Sequence, residues 1–168
     1  MEDMSNKEII QPESNVAYYV IDGKPIPLQR PRFSKDGHVW DCQTREKLGI
    51  QLQLKSQHKG DPFVGPLKLE VTFFMPIPDK ISKKRLQDLS ATPHYYRPDI
   101  DNLQKMLLDC ANSIIYADDA LIAEITARKI WSNCPRTEFS ITRLEPLGEC
   151  NNEEEKGDRG DAGQKSIV

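Results

Sequence analysis

Residues 96–129, YRPDIDNLQKMLLDCANSIIYADDALIAEITARK, decide the fold because a helical pattern passes almost directly into a strand pattern. From about residue 101 to residue 113, apolar side chains recur at steps of three and four, which predicts an amphipathic helix: Leu103, Leu107, Cys110 and Ile114. ALIAEITARKIW, residues 120–131, has the composition of a strand. The stretch therefore predicts a helix that turns the chain back before a strand begins.

The flanking sequence adds strands and one further helix. NVAYYVIDG (15–23), LKLEVTFFMPIP (67–78) and TEFSITRLEPL (137–147) are rich in β-branched and aromatic residues and end at turn-forming residues. Residues 41–59 favour a surface helix, residues 82–89 allow a short one, and three prolines in residues 24–40 predict an extended, turning path. This order predicts an α+β fold, a small mixed sheet with helices packed on it.

Length and charge predict one domain with polar ends. The chain has 168 residues, which suits a single core. We expect residues 1–15 to be disordered, residues 16–147 to form the domain and residues 148–168 to be a disordered acidic tail. That tail holds 3 of the 23 basic and 6 of the 26 acidic side chains, so the other 147 residues hold 20 of each. The net charge of −3 therefore argues neither for nor against a nucleic-acid partner.

The cysteines and the length of the apolar runs predict the cellular compartment of the protein. The four cysteines are scattered without a C-x-x-C pair, and the three histidines complete no zinc pattern. There is no signal-like segment, and no apolar run approaches the ~20 residues that a membrane span needs. We expect a reduced, cytoplasmic protein with no membrane partner.

Two acidic pairs flank the predicted helix. In an extended segment Asp99 and Asp101 would face the same way and could bind one cation. If the helix returns the chain, Asp118 and Asp119 would join them, and carboxylates gathered there would need a cation to offset their repulsion. Oxygen ligands favour Mg²⁺ or Mn²⁺. The alternatives are structural, with Asp101 as a helix N-cap and Asp118-Asp119 as turn residues.

Two charged side chains share a helical face with Asp101. Lys105 could bind the phosphate that is cut or stabilise the leaving oxygen, and Asp109 could orient Lys105. Simple ion pairs on a helix surface would explain both residues as well. Together, the acids and the lysine predict a metal-dependent nuclease.

Basic and aromatic residues predict how DNA would be held. Arg30 and Arg32 lie in a segment stiffened by prolines, which suits phosphate contacts. Further basic residues precede the acidic motif in the connection of residues 79–97, where a solvated surface is the alternative: Lys83, Lys84, Arg85 and Arg97. For Tyr95 and Tyr96 we expect packing in the core, with stacking on exposed bases as the alternative.

The combined pattern resembles the RusA family of Holliday junction resolvases. The matching residues are DIDNLQK (99–105), Asp109, DDA (118–120) and Lys129, with K-P-I-P-x-x-R-P-R-F (24–33) further upstream. The resemblance spans roughly residues 17–145. It implies a small homodimeric α+β endodeoxyribonuclease that uses Mg²⁺ or Mn²⁺ to cut four-way DNA junctions symmetrically in recombination and repair.

The resemblance also implies roles for individual residues. Asp99, Asp101 and Asp119 match the essential metal-binding acids, and Lys105 matches the catalytic lysine. Asp118 is a further candidate ligand, and Lys129 matches a basic position near the site that would contact DNA.

Two other functional classes stay open at this point. A non-catalytic accessory that binds branched DNA would need the basic segments but would gain nothing from acids that face phosphates. A structural Ca²⁺ protein of the EF-hand type would need ligand spacing that the chain lacks.

A homodimer suits the near two-fold symmetry of a four-way junction, because two opposed cuts need two equivalent sites.

Overall fold

The computed structural model is an α+β fold, as the sequence predicts. It describes residues 15–30, 32–33, 39–40, 42–78 and 89–145, with backbone only for 32–33 and 39–40. The strands are β1 (Val16–Asp22), β2 (Arg32–Phe33), β3 (Val39–Trp40), β4 (Leu67–Pro76), β5 (Ile122–Ser132) and β6 (Arg136–Arg143). The helices are α1 (Thr44–Gln57) and α2 (Ile100–Ala111), and a 3-10 turn, Asp119–Leu121, precedes β5.

The main sheet is mixed, with strand order β1-β6-β4-β5. β6 runs antiparallel to both β1 and β4, whereas β4 and β5 are parallel. Parallel neighbours need a crossover connection, and α2 lies within it. β2 and β3 form a separate two-stranded ribbon within the turning path expected for residues 24–40.

One face of the sheet and both helices share the core. Alternate residues of β4 point into it, as a period of two requires: Leu67, Leu69, Val71, Phe73 and Met75. They meet the buried stripe of α2, which is Leu103, Met106, Leu107, Cys110 and Ala111. Because α1 contributes only Leu54 as a fully buried side chain, it covers the core as a surface helix.

Several boundaries differ from the sequence predictions. α2 begins at Ile100 rather than near Asp101, because Ile100 packs against the core and Asp99, still extended, is the N-cap. The expectation that Asp99 and Asp101 lie in one extended segment is therefore wrong, because Asp101 already lies in the first turn of α2. The predicted disordered ends, the possible helix at 82–89 and the side chains of Arg32, Lys83, Lys84 and Arg85 lie outside the described residues.

Three of the four cysteines lie in the part of the chain that the structure describes. Cys42, Cys110 and Cys134 are not joined to one another by disulfide bonds. Within the part of the chain that the structure describes, no helix is long and apolar enough to cross a membrane.

Candidate active site

The first acidic pair lies at the N-terminus of α2. Asp99 is the N-cap residue, with φ −70° and ψ 143°, and its side chain makes no capping hydrogen bond. Asp101 lies in the first turn, and both residues are exposed. A helix N-terminus carries unsatisfied N–H groups and a partial positive charge, so two carboxylates are stabilised there.

Lys105 lies one turn further along α2 and contacts Asp101. Its Nζ donates to Asp101 Oδ2 at 3.1 Å, and both side chains are 58% exposed. This hydrogen bond lowers the pKa of the Asp101 carboxyl below its usual value. The pair therefore places an ammonium beside an ionised carboxylate on an open surface.

Lys129 holds the backbone that leads into Asp99. It lies on β5, opposite Phe73 and on the helix side of the sheet, and its Nζ donates to the carbonyl oxygens of Tyr96 at 2.9 Å and Pro98 at 2.7 Å. The Arg97–Pro98 peptide bond between those carbonyls is cis. The predicted DNA contact of Lys129 is untested, and these hydrogen bonds assign it a structural role.

The second acidic pair lies beyond the other end of α2. Asp118 caps the 3-10 turn by accepting the Ala120 N–H at 2.8 Å through Oδ1, and Asp119 is exposed in the first position of that turn. The preceding Tyr116 donates its hydroxyl to the Leu108 carbonyl, in the last turn of α2, at 3.0 Å. Burial, together with the Asp119 and Asp109 carboxylates, raises the pKa of the Tyr116 phenol above its usual value.

A single chain does not bring the two acidic pairs together. A helix of 12 residues is about 18 Å long, and α2 runs from the Lys129 end of β5 to the beginning of that strand. Among the described residues, no three His, Cys, Asp or Glu side chains gather closely enough to hold a metal ion. The expected return of the chain occurs, but it delivers Asp118 and Asp119 to the opposite end of the helix.

Asp109 has a different neighbour from the one expected. Its carboxylate forms an ion pair with Lys47 of α1 at 3.5 Å. This contact ties the two helices together. The structure thus gives Asp109 a partner outside the group of Asp99, Asp101 and Lys105.

Comparison with known proteins gives the family of this chain. The sequence profile of endodeoxyribonuclease RusA matches residues 22–142, which include both acidic pairs, Lys105 and Lys129. The chain belongs to the RusA family. It is an endodeoxyribonuclease, and RusA-family nucleases generally depend on a divalent metal.

Two curated proteins are similar to the chain. It is 29% identical to the uncharacterized protein YqaN of Bacillus subtilis (strain 168) over 135 residues, which cover 75% of this chain and 95% of the relative. It is 39% identical to the crossover junction endodeoxyribonuclease rusA of Lactococcus phage r1t over 80 residues, 47% of this chain and 56% of the relative. The second match therefore spans about half of each protein.

The first acidic pair suits the metal on which RusA-family enzymes depend. Mg²⁺ is commonly bound through one or two carboxylates, with waters and substrate phosphate completing its octahedron. Asp99 and Asp101 are exposed, and no cluster of three or more acidic, His or Cys side chains surrounds them among the described residues. These two residues would hold the ion.

A basic segment of this RusA-family chain lies against the same end of α2. Leu28 donates its N–H to the carbonyl of Asn102 at 2.8 Å, which brings exposed Arg30 to within two residues of that contact. Arg97 is exposed on the other approach, just before Asp99. Two of the predicted DNA-binding arginines therefore flank the first acidic pair.

Sequence reasoning missed three features of the site. Gln43 is buried and holds the Arg30 segment through hydrogen bonds to Pro27 and Gln29, and nothing in its sequence context indicates this. No sequence pattern indicates that Lys129 donates to backbone carbonyls. The expectation that Tyr95 and Tyr96 pack in the core is wrong, because their side chains are exposed.

Proposed function

We propose that this RusA-family endonuclease resolves four-way DNA junctions by paired, symmetric hydrolysis of phosphodiester bonds, with Mg²⁺ or Mn²⁺, in recombination and repair. The observation that carries the proposal is the grouping of Asp99, Asp101 and Lys105 on the first turns of α2. The similarity to the phage enzyme whose name states crossover junction cleavage supports the choice of substrate.

Each residue of the first acidic pair and its surroundings has a definite task in this proposal. The bound cation supplies polarisation of the phosphodiester and a more acidic water. Asp99 and Asp101 hold that cation, and the Lys105 ammonium stabilises negative charge on the departing oxygen. Arg30 and Arg97 contact neighbouring phosphates and orient the strand without reading its bases. Arg32, Lys83, Lys84 and Arg85 extend this set of proposed phosphate contacts.

We further propose that the enzyme works as a homodimer whose partner completes each site. Asp119 matches a metal-binding position, yet it lies beyond the far end of α2 from Asp99 and Asp101. A two-fold axis could bring the second acidic pair of one protomer to the first pair of its partner. The same axis would give the two opposed sites that a symmetric junction needs. A cytoplasmic location is part of the proposal, since Cys42, Cys110 and Cys134 form no disulfide bonds with one another.

Cleavage of a synthetic four-way junction tests the proposed function. Wild-type protein should nick the junction with Mg²⁺ or Mn²⁺, stop when a chelator is added, and leave linear duplex intact. Asp101→Asn should slow cutting by at least about a hundredfold, because it weakens the metal site and removes the negative charge beside Lys105. Junction binding should persist or tighten, since one charge that repels phosphates is gone.

Asp61→Asn is the matched control. Asp61 is an exposed aspartate in the loop after α1, so the same chemical change there should leave cutting at the wild-type rate. Equal cutting rates for Asp101→Asn and wild type would show that the site is assigned wrongly. Tight junction binding without cutting in any divalent metal would instead favour an accessory that binds branched DNA.

Mixed dimers test whether the site is shared. A dimer of one Asp101→Asn chain and one Asp119→Asn chain keeps one site with both intact acids if the partner completes the site, so nicking should return. If each chain builds its own site, both sites carry a defect and the mixture stays inactive. A dimer of Asp101→Asn with Asp99→Asn is the control, since both of its sites are defective in either arrangement.

A further inference from the structure

Two tyrosines form an exposed aromatic pair just before the first acidic pair. Tyr95 is 76% exposed and Tyr96 is 57% exposed. Their ring centroids are 4.4 Å apart with an interplanar angle of 32°, and the Tyr96 hydroxyl donates to that of Tyr95 at 3.2 Å. Large aromatic side chains usually bury much of their surface, so an exposed pair in contact with each other indicates a binding surface.

Buried rings support this pair from behind. Tyr96 meets His94 edge-on at 6.1 Å and Trp131 at 6.0 Å, and His94 lies 4.2 Å from Trp131; both supporting residues are buried. Burial, and then the Lys129 ammonium, lowers the pKa of His94, so its ring is neutral at neutral pH. Tyr96 therefore rests on packed, uncharged rings, and Tyr95 contacts Tyr96.

The backbone under the pair is also fixed. His94 donates its N–H to the Lys129 carbonyl at 3.0 Å, and the Trp131 N–H donates to Thr92 at 2.9 Å, so the segment lies along the edge of β5. Lys129 holds the Tyr96 carbonyl from the side. A surface fixed in this way loses little conformational freedom when a ligand binds.

The position of the pair selects a nucleobase as its ligand. Tyr96 and Asp99 are three positions apart in sequence, so their Cα atoms lie at most about 11 Å apart. Stacked nucleotides advance about 3.4 Å each, which places the rings within roughly three nucleotides of a phosphate bound to a metal ion at Asp99 and Asp101. Exposed Arg97 lies between the rings and the acids and can contact the intervening phosphate.

We propose that Tyr95 and Tyr96 form a stacking platform for a nucleobase left unpaired at the branch point, next to the phosphate that is cut. The proposal rests on the proposed function and adds a means of selecting branched over linear DNA. In a duplex each base is already stacked on its neighbours, whereas at a branch point a base can leave the stack and cover the rings. Stacking on an aromatic ring is independent of base identity.

Binding measurements on matched variants test the platform. The double variant Tyr95→Ala/Tyr96→Ala should bind a four-way junction roughly tenfold to a hundredfold more weakly than wild type, with linear duplex binding changed less than about twofold. Tyr95→Phe/Tyr96→Phe keeps the rings and should bind the junction like wild type. 2-Aminopurine placed at the branch point should change fluorescence on binding wild type and the Phe variant, but not the Ala variant.

Several outcomes would overturn the platform. One is equal junction affinity of wild type and the Ala variant. The others are an equal loss of junction and duplex binding, or a lowered thermal midpoint of the Ala variant, since either result indicates a structural role for the rings. A change in the dimer fraction alone would assign the rings to a protein interface. Cutting by the wild-type protein is measured separately. If the protein binds the junction through these rings but never cuts it, that result contradicts the proposed function and leaves the platform standing.

Discussion

Lys129 acts at the scale of a single residue through its hydrogen bonds. Two of its three N–H donors point to the carbonyls of Tyr96 and Pro98, so it fixes the backbone that presents Asp99. The resemblance to the RusA family implies a DNA contact for Lys129, from the position of this charged residue after the acidic motif. It does not show which acceptors the folded chain brings to that charge.

Replacing Lys129 separates these two roles. In Lys129→Met the segment before Asp99 loses both hydrogen bonds, so we expect cutting to slow by about tenfold and to require more Mn²⁺, while junction affinity changes little. Single-turnover cleavage across a Mn²⁺ series, together with junction binding, measures both effects. Lys129→Arg should recover part of the rate, since a guanidinium can also donate to two carbonyls.

A matched lysine controls for the lost charge. Lys68 lies on β4 and pairs with Glu70, so Lys68→Met should leave cutting unchanged. If Lys129→Met weakens junction binding instead of metal use, Lys129 contacts phosphate and the positioning role is wrong.

At the scale of elements, α2 is the scaffold of the site. Its N-terminus carries Asp99, Asp101 and Lys105, and its first turn accepts the Leu28 N–H that brings in the Arg30 segment. Gln43, just before α1, fixes that segment by accepting from Gln29 N–H at 2.7 Å and donating to the Pro27 carbonyl at 2.9 Å. Three parts of the chain that are distant in sequence therefore meet at one helix end.

Removing the Gln43 amide should loosen the contact between the Arg30 segment and the N-terminus of α2. Gln43→Leu leaves the Pro27 carbonyl and the Gln29 N–H, whose hydrogen bonds are partly buried, without this partner, and we expect the free energy of unfolding to fall by roughly 1–3 kcal/mol. Junction affinity should fall too, because Arg30 is no longer held beside α2. Denaturant unfolding and salt-dependent binding measure the two effects.

Gln53→Leu is the comparison for this variant. Gln53 also bonds a backbone group, the Asp22 N–H at 2.8 Å, but at an exposed position, so its loss should cost less than about 1 kcal/mol. If Gln43→Leu is as stable as Gln53→Leu, the hydrogen bonds of Gln43 do not hold the Arg30 segment.

At the scale of the whole molecule, the sheet and both helices depend on one core. Tyr19 joins them, because it stacks on Phe139 with centroids 5.0 Å apart and its hydroxyl is 2.8 Å from His58 Nδ1, just after α1. Burial raises the pKa of Tyr19 to about 12. The folded state therefore favours the neutral phenol more strongly than the unfolded chain does.

This shift predicts a loss of stability in alkali. The unfolded phenol titrates near its usual pKa of about 10, so the contribution of Tyr19 is complete below that pH and is lost as pH rises to about 12. The thermal midpoint of the wild-type protein should fall across this pH window. Tyr19→Phe should have a lower midpoint at neutral pH, because it lacks the hydrogen bond to His58, but its midpoint should fall less as the pH rises. Tyr18→Phe, at the exposed neighbouring position, should follow the wild-type curve.

The sequence by itself determined the helices, the strands and the chemistry of the acids. Periodicity and composition are local properties, so they predicted α1, α2 and β1, β4, β5 and β6 to within a few residues. The motif around Asp99, Asp101 and Lys105 was readable for the same reason, because four residues of helix bring Lys105 beside Asp101.

Only the tertiary structure decided how these parts are arranged. α2 runs opposite to β5, so Asp119 lies beyond the far end of the helix from Asp99 and the two acidic pairs stay apart in one chain. The packing of the sheet edge also decided that Lys129 meets carbonyls and that Tyr95 and Tyr96 face outward. Such facts depend on contacts between residues far apart in sequence, and no local pattern records them.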